Sequence, residues 1–206
     1  MEIKKIKIKG DIEVALTEIP DMLDFSDSAC FGLRHLASNV RSDNRRSEII
    51  TTNLMVKELF GNGCTLHHHN SGAPYLVSEE GKDVPKISIS HCRGMVAVAY
   101  SDKAVGVDVE QIEERVMRIR NRVQNADEMQ HTGDSIVLNT VLWTAKEALF
   151  KLIPEEGVDF AKDLQIHLEN VDADALENRY LATAYGRSYN MISLLVDENI
   201  LTIAFE

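Results

Sequence analysis

Three cysteines, Cys30, Cys64 and Cys92, are all that this chain of 206 residues offers for thiol chemistry. An odd, scattered set makes neither a disulfide framework nor a zinc pattern, and a reducing compartment follows. No apolar run approaches the roughly 20 residues needed to span a bilayer, so no membrane role is expected. The N-terminus, MEIKKIKIKG, lacks the apolar core of a signal peptide and reads as a strand. A cytoplasmic location is expected by default. Positive charge is scarce: 22 Lys and Arg against 33 Asp and Glu leave a formal net charge of −11. That balance excludes bulk nucleic-acid binding. The exception is local, where Arg115, Arg118, Arg120 and Arg122 crowd together. They make either a solvated helix face or a docking surface for an acidic partner.

Apolar content is ordinary, and the length fits one large domain or two small ones with a sizeable core. The pattern reads as α+β with a repeated order. Residues 12–17 form a strand, 29–39 and 45–60 helices, and 64–68, 86–90 and 94–101 strands. The order then recurs: strand 104–109, helices 112–123 and 135–152, strands 163–169, 179–185, 189–196 and 200–205. Two similar α+β halves, 1–102 and 103–206, are expected, without a Pro/Gly/Ser-rich linker and with a shared cleft.

The segment Val105-Gly106-Val107-Asp108-Val109-Glu110 places two carboxylates on one face of an apolar strand, about 6.5–7 Å apart. Two such groups repel each other and resist burial, so a cation is expected between them. Mg²⁺ suits hard oxygen ligands and keeps sites for water or phosphate. Further on stands Trp143-Thr144-Ala145-Lys146-Glu147-Ala148-Leu149-Phe150-Lys151. Leu138, Leu142, Ala145, Leu149 and Leu152 make its apolar stripe. Trp143, Glu147 and Lys151 fall on the opposite side, one turn apart, as on a cleft wall. Glu147 would complete a three-carboxylate metal site, and Lys146 and Lys151 would neutralise phosphate. Taken alone, Asp-x-Glu is a solvated strand face, and Glu147 with Lys151 a surface ion pair worth about a few tenths of a kcal/mol. Upstream, Ser90 and His91 end a strand, as structural residues or as donors to phosphate. In His67-His68-His69 only the outer two share a face, and no third ligand is evident, so a metal reading is set aside.

Together these residues resemble the 4′-phosphopantetheinyl transferase superfamily, in its larger, surfactin-synthetase-activating type. The signatures are GVDVE at 106–110, WTAKEALFK at 143–151 and the preceding Ser90-His91. Weaker similarities lie in Ile119-x-x-Arg122-Val123-x-Asn125-x-x-Glu128, in Arg45-Arg46-Ser47-Glu48 and in Gly72-Ala73-Pro74-Tyr75-Leu76. Ala73 stands where the family has lysine, and the acidic segment 152–157 where it has Gly-Lys-Gly.

The resemblance implies a pseudo-twofold pair of α+β halves. It implies transfer of the phosphopantetheine arm of coenzyme A to a serine of an apo acyl or peptidyl carrier protein, with Mg²⁺, releasing adenosine 3′,5′-bisphosphate. Asp108, Glu110 and Glu147 map onto the metal-binding acids, and Glu147 also onto the base for the attacking serine. Asp108, Glu147 and Lys151 are thus the catalytic set. Lys146 and Lys151 map onto phosphate contacts. Ser90 and His91, joined by Arg46, map onto coenzyme A contacts. The carrier would be acidic, and a monomer acting on no nucleic acid and no membrane is expected. Two other readings stand beside this one. The first is a catalytically impaired relative that binds coenzyme A or a carrier protein. The second is an unrelated metal-dependent phosphoryl-transfer enzyme.

Overall fold

The computed structural model describes residues 1–20, 30, 32–153 and 155–206. They form two compact units, Met1–Lys103 and Ala104–Glu206, each α+β.

In the first unit, β1 (Lys4–Lys9) and β2 (Ile12–Glu18) precede the helix α1 (Asp43–Phe60). Then follow β3 (Cys64–His68), β4 (Pro74–Ser78), β5 (Lys86–Cys92) and β6 (Met95–Ser101). The sheet order is β1-β2-β6-β5, antiparallel throughout, and the β3–β4 hairpin lies with β4 beside β5. α1 begins where the Ser42 hydroxyl caps the Arg45 amide and stops at Gly61, whose φ of 88° only glycine adopts readily. Met55 packs on Ala15, Val96 and Val98 of the sheet. Val56 packs on Leu76 and Ile87.

In the second unit, β7 (Val105–Gln111) is followed by a 3-10 helix (Glu114–Arg118), α2 (Arg120–Val123), α3 (Ala126–Thr132) and α4 (Ile136–Leu152). The chain then forms β8 (Leu164–Ile166), β9 (Glu177–Ala184), β10 (Arg187–Val196) and β11 (Asn199–Phe205). The sheet order is β7-β11-β10-β9-β8, again antiparallel. In both units the strand before the helices pairs with the last strand, beside which the penultimate strand lies; the second sheet then continues to β9 and β8, whereas β3 and β4 form a separate two-stranded sheet. β1 is an extra edge in the first unit.

α4 buries a wider face than its apolar stripe. Asn139, Thr140, Thr144 and Lys146 are buried with Leu142, Ala145 and Leu149. The polar groups have partners inside the unit. Thr144 donates to the Thr140 carbonyl at 3.0 Å. Contacts of 2.7, 2.7 and 2.6 Å then link Thr144 to Thr202, Thr202 to Ser193 and Ser193 to Tyr180. Each hydroxyl has one proton, so the chain runs from Tyr180 to the helix backbone. A buried hydroxyl so paired carries no desolvation penalty.

Two expected helices differ. The helix expected over 112–123 is confined between the extended Glu113 and Gln124 and stands as the 3-10 turn and α2, which meet at Ile119. A reciprocal Asn125–Glu128 capping box then starts α3, a helix absent from the sequence reading. The helix expected over 29–39 lies partly outside the described residues, and the described part is a 3-10 turn at Arg34–Ala37.

Candidate active site

The second unit gathers the acids. Gly106, Asp108 and Glu110 share the face of β7 that meets α4. A β-carbon on Gly106 would meet the Ala148 carbonyl oxygen at 1.9 Å, so the absent side chain is what lets the helix backbone lie on the strand. Trp143, Glu147 and Lys151 then flank the buried face along β7 rather than opposing it. Lys151 Nζ donates to Asp108 Oδ1 at 2.7 Å and to the Val107 carbonyl at 2.9 Å. Trp143 Nε1 donates to Glu110 Oε1 at 3.2 Å. Glu147, half-buried, sits one helical turn from each. From the 3-10 turn, Arg115 Nη2 reaches Glu110 Oε2 at 2.6 Å and its Nε reaches Glu113 at 3.1 Å.

The acids feel one another. Burial pushes the Glu147 carboxyl up to about 7, and the negative charges of Asp108 and Glu110 add to this against Lys151. Glu110 is raised by burial and by Asp108, opposed by Trp143, Arg115 and Lys151. This donor set fits a hard divalent cation: oxygen ligands whose ionisation is resisted by burial and mutual repulsion. Yet among the described residues no three histidine, cysteine or acidic side chains stand together as a ready metal shell. The expected convergence of Asp108, Glu110 and Glu147 is therefore a shared field and not a finished cage. Lys151 holds one Asp108 oxygen, and Trp143 and Arg115 hold both Glu110 oxygens.

Lys146 lies elsewhere, and its expected phosphate contact is corrected. Its ammonium is fully buried and donates to Glu128 Oε2 at 2.6 Å, the Phe160 carbonyl at 2.7 Å and the Leu164 carbonyl at 2.9 Å. All three protons are spent. Glu128 in turn accepts from the Asn125 and Ile166 amides. Lys146 thus pins α4 to α3 and to the approach to β8, which fixes the turn of helix carrying Glu147. Glu128 escaped the sequence reading as its partner.

In the first unit, a cavity of about 560 Å³ is lined by His91, His68, Arg45, Ile49, Ile89 and Pro74 among others. His91 Nε2 stands 2.9 Å from Thr52 Oγ1, which itself donates to the Glu48 carbonyl at 2.7 Å. The threonine proton is used, so His91 Nε2 carries a proton and donates. Ser90 is on the other face of β5, with its side chain buried, away from the lining residues Ile89 and His91. Ser90 is therefore not among the residues that line this cavity. Arg46 turns from the cavity too. It donates to the Val40 carbonyl at 2.6 Å and to Asp43 at 3.0 Å, and borders a shallower hollow with Arg34 and Ser38. Arg45 takes the cavity position. His68 joins it because the alternation that pairs His67 and His69 with Tyr75 sends His68 to the opposite side. Burial and the charge of Arg45 hold the His68 ring below the usual histidine range.

No helix among the described residues is long and apolar enough to cross a membrane. A search of curated proteins found no match. Residues 104–204 match the family model of the 4′-phosphopantetheinyl transferase superfamily, the same stretch that carries the paired acids, Glu147 and Lys151. Residues 104–204 are thus a domain of the 4′-phosphopantetheinyl transferase superfamily.

Proposed function

We propose that this protein is a transferase of the surfactin-synthetase-activating type. It moves the phosphopantetheine arm of coenzyme A to a serine of an apo acyl or peptidyl carrier protein, leaving adenosine 3′,5′-bisphosphate. The observation that carries the reading is the meeting of Asp108, Glu110, Glu147 and Lys151 along β7 and α4 inside the domain that matches the family. Asp108, Glu110 and Glu147 would hold Mg²⁺. When bound, the metal would neutralise charge developing on the pyrophosphate.

The chain's own groups carry the other steps. Lys151, fixed by Val107 and Asp108, presents its remaining proton to a phosphate oxygen. Glu147, with its carboxyl near neutrality, is suited to take the serine proton as the hydroxyl attacks phosphorus. Trp143 keeps Glu110 oriented and, stacked on Phe160 with ring centroids 5.9 Å apart, walls that side. In the first unit, the cavity with His91, His68 and Arg45 on apolar walls suits an anionic, nucleotide-bearing ligand such as coenzyme A.

Weighing an apo carrier after incubation with the protein, coenzyme A and Mg²⁺ tests the reading. A gain of one phosphopantetheine is expected, and Lys151→Ala should slow it by at least about tenfold. A protein that binds coenzyme A without changing the carrier's mass would be the impaired relative instead.

A further inference from the structure

We propose that Arg115 is the resident counter-cation of Glu110, one that sets the acids' affinity for a divalent metal and leaves its seat when the metal arrives. This rests on the reading of Asp108, Glu110 and Glu147 as metal ligands.

Lys151 and Arg115 both touch the acids, and they are held differently. Lys151 is anchored twice, by Asp108 Oδ1 and by the Val107 carbonyl, and its side chain is 26% exposed. Arg115 has no backbone anchor among its contacts. Its partners are Glu110 Oε2 at 2.6 Å and Glu113 Oε2 at 3.1 Å, and its side chain is 54% exposed against 24% for Glu110. Glu110 Oε1 is engaged by Trp143. Oε2 is the oxygen that Arg115 covers, and a metal needs its lone pairs. A guanidinium is never neutral at working pH, so it cannot stay by giving up its charge. A dication and Arg115 at Glu110 Oε2 therefore compete for the same oxygen and repel each other as like charges. Glu113 offers the second seat: the guanidinium keeps one partner when it yields Glu110. The exchange costs little, because an exposed ion pair is weak.

The chain has a built-in reporter. Trp143 is the sole tryptophan, and its indole N–H lies on the other oxygen of the same carboxylate. Metal arrival at Glu110 should change its emission.

The test is a titration with Mn²⁺ alone, a paramagnetic stand-in for Mg²⁺ at hard oxygen sites. Free Mn²⁺ is followed by electron paramagnetic resonance, and Trp143 by quenching of its fluorescence. Arg115→Gln should bind Mn²⁺ about three- to tenfold more tightly than the unaltered protein at low salt. The gap should narrow as salt rises. Arg115→Lys, which keeps the charge, should stay near the unaltered affinity. Arg115→Gln binding no tighter than the unaltered protein would overturn the proposal and leave the acids as a metal site. Failure of every protein to bind Mn²⁺ or quench Trp143 would overturn both.

Discussion

The carbonyl oxygen of Ala148 sits 1.9 Å from where a β-carbon on Gly106 would stand. Backbone meets backbone there, so neither side can rotate away. Gly106→Ala should force α4 off β7 and destabilise the protein by about 3 kcal/mol, near the upper end for overpacking. The urea midpoint at unchanged slope measures this. An unshifted midpoint would show that the helix does not need that contact.

Lys146 should behave as a structural residue. Lys146→Ala leaves Glu128 charged and buried, at a cost of about 3–5 kcal/mol. Lys146→Met with Glu128→Leu should recover much of the loss, because no charge then stands alone. Coenzyme A binding by the double variant should match that of the unaltered protein. Lost binding with intact stability would return Lys146 to the phosphate.

The acids should make metal binding proton-linked. The Glu147 carboxyl is pushed from its ordinary 4.5 up to about 7. Between those values the native protein holds a proton that the unfolded chain has lost. Without a bound cation, Glu147's contribution to stability is whole at low pH and is lost as pH rises through about 7. A cation that replaces the proton releases it. Calorimetry with Mg²⁺ at pH 7, in buffers of different ionisation enthalpy, should therefore find protons released, and fewer from Glu147→Gln. Equal release from both would remove Glu147 from the site.

Of the four clustered arginines, two are engaged within the second unit: Arg115 by Glu110 and Glu113, and Arg120 by Asp134 and the Gly133 carbonyl. Arg118 and Arg122 are exposed and join no ion pair among the described residues. Reversing their charge should raise KM for an acidic carrier and leave coenzyme A affinity alone. The effect should fade as salt rises. A KM indifferent to salt would mark them as an ordinary solvated face.

Much of this was legible in the sequence for physical reasons. Period-two alternation put Asp108 and Glu110 on one strand face, and the helical repeat put Trp143, Glu147 and Lys151 in one row. Part of the repeated order of elements is visible in the sheets, where β2-β6-β5 and β7-β11-β10 follow the same order. What escaped depended on partners distant in the chain. Lys146 and Glu128 meet across two helices, and a helical repeat cannot tell a buried, paired lysine from a solvated one. The contact of Arg115 with Glu110 follows from an irregular 3-10 turn, where no period applies. That Ser90 and His91 face apart was readable too, since neighbours on a strand alternate sides.

The most direct test is the mass of an apo carrier after incubation with coenzyme A and Mg²⁺, run with the unaltered protein, with Glu147→Gln, with Asp108→Asn and with the metal chelated. The account expects one phosphopantetheine added by the unaltered protein and almost none in the other three. A carrier left unchanged by the folded, metal-loaded protein, or one modified equally well in all four, would contradict it.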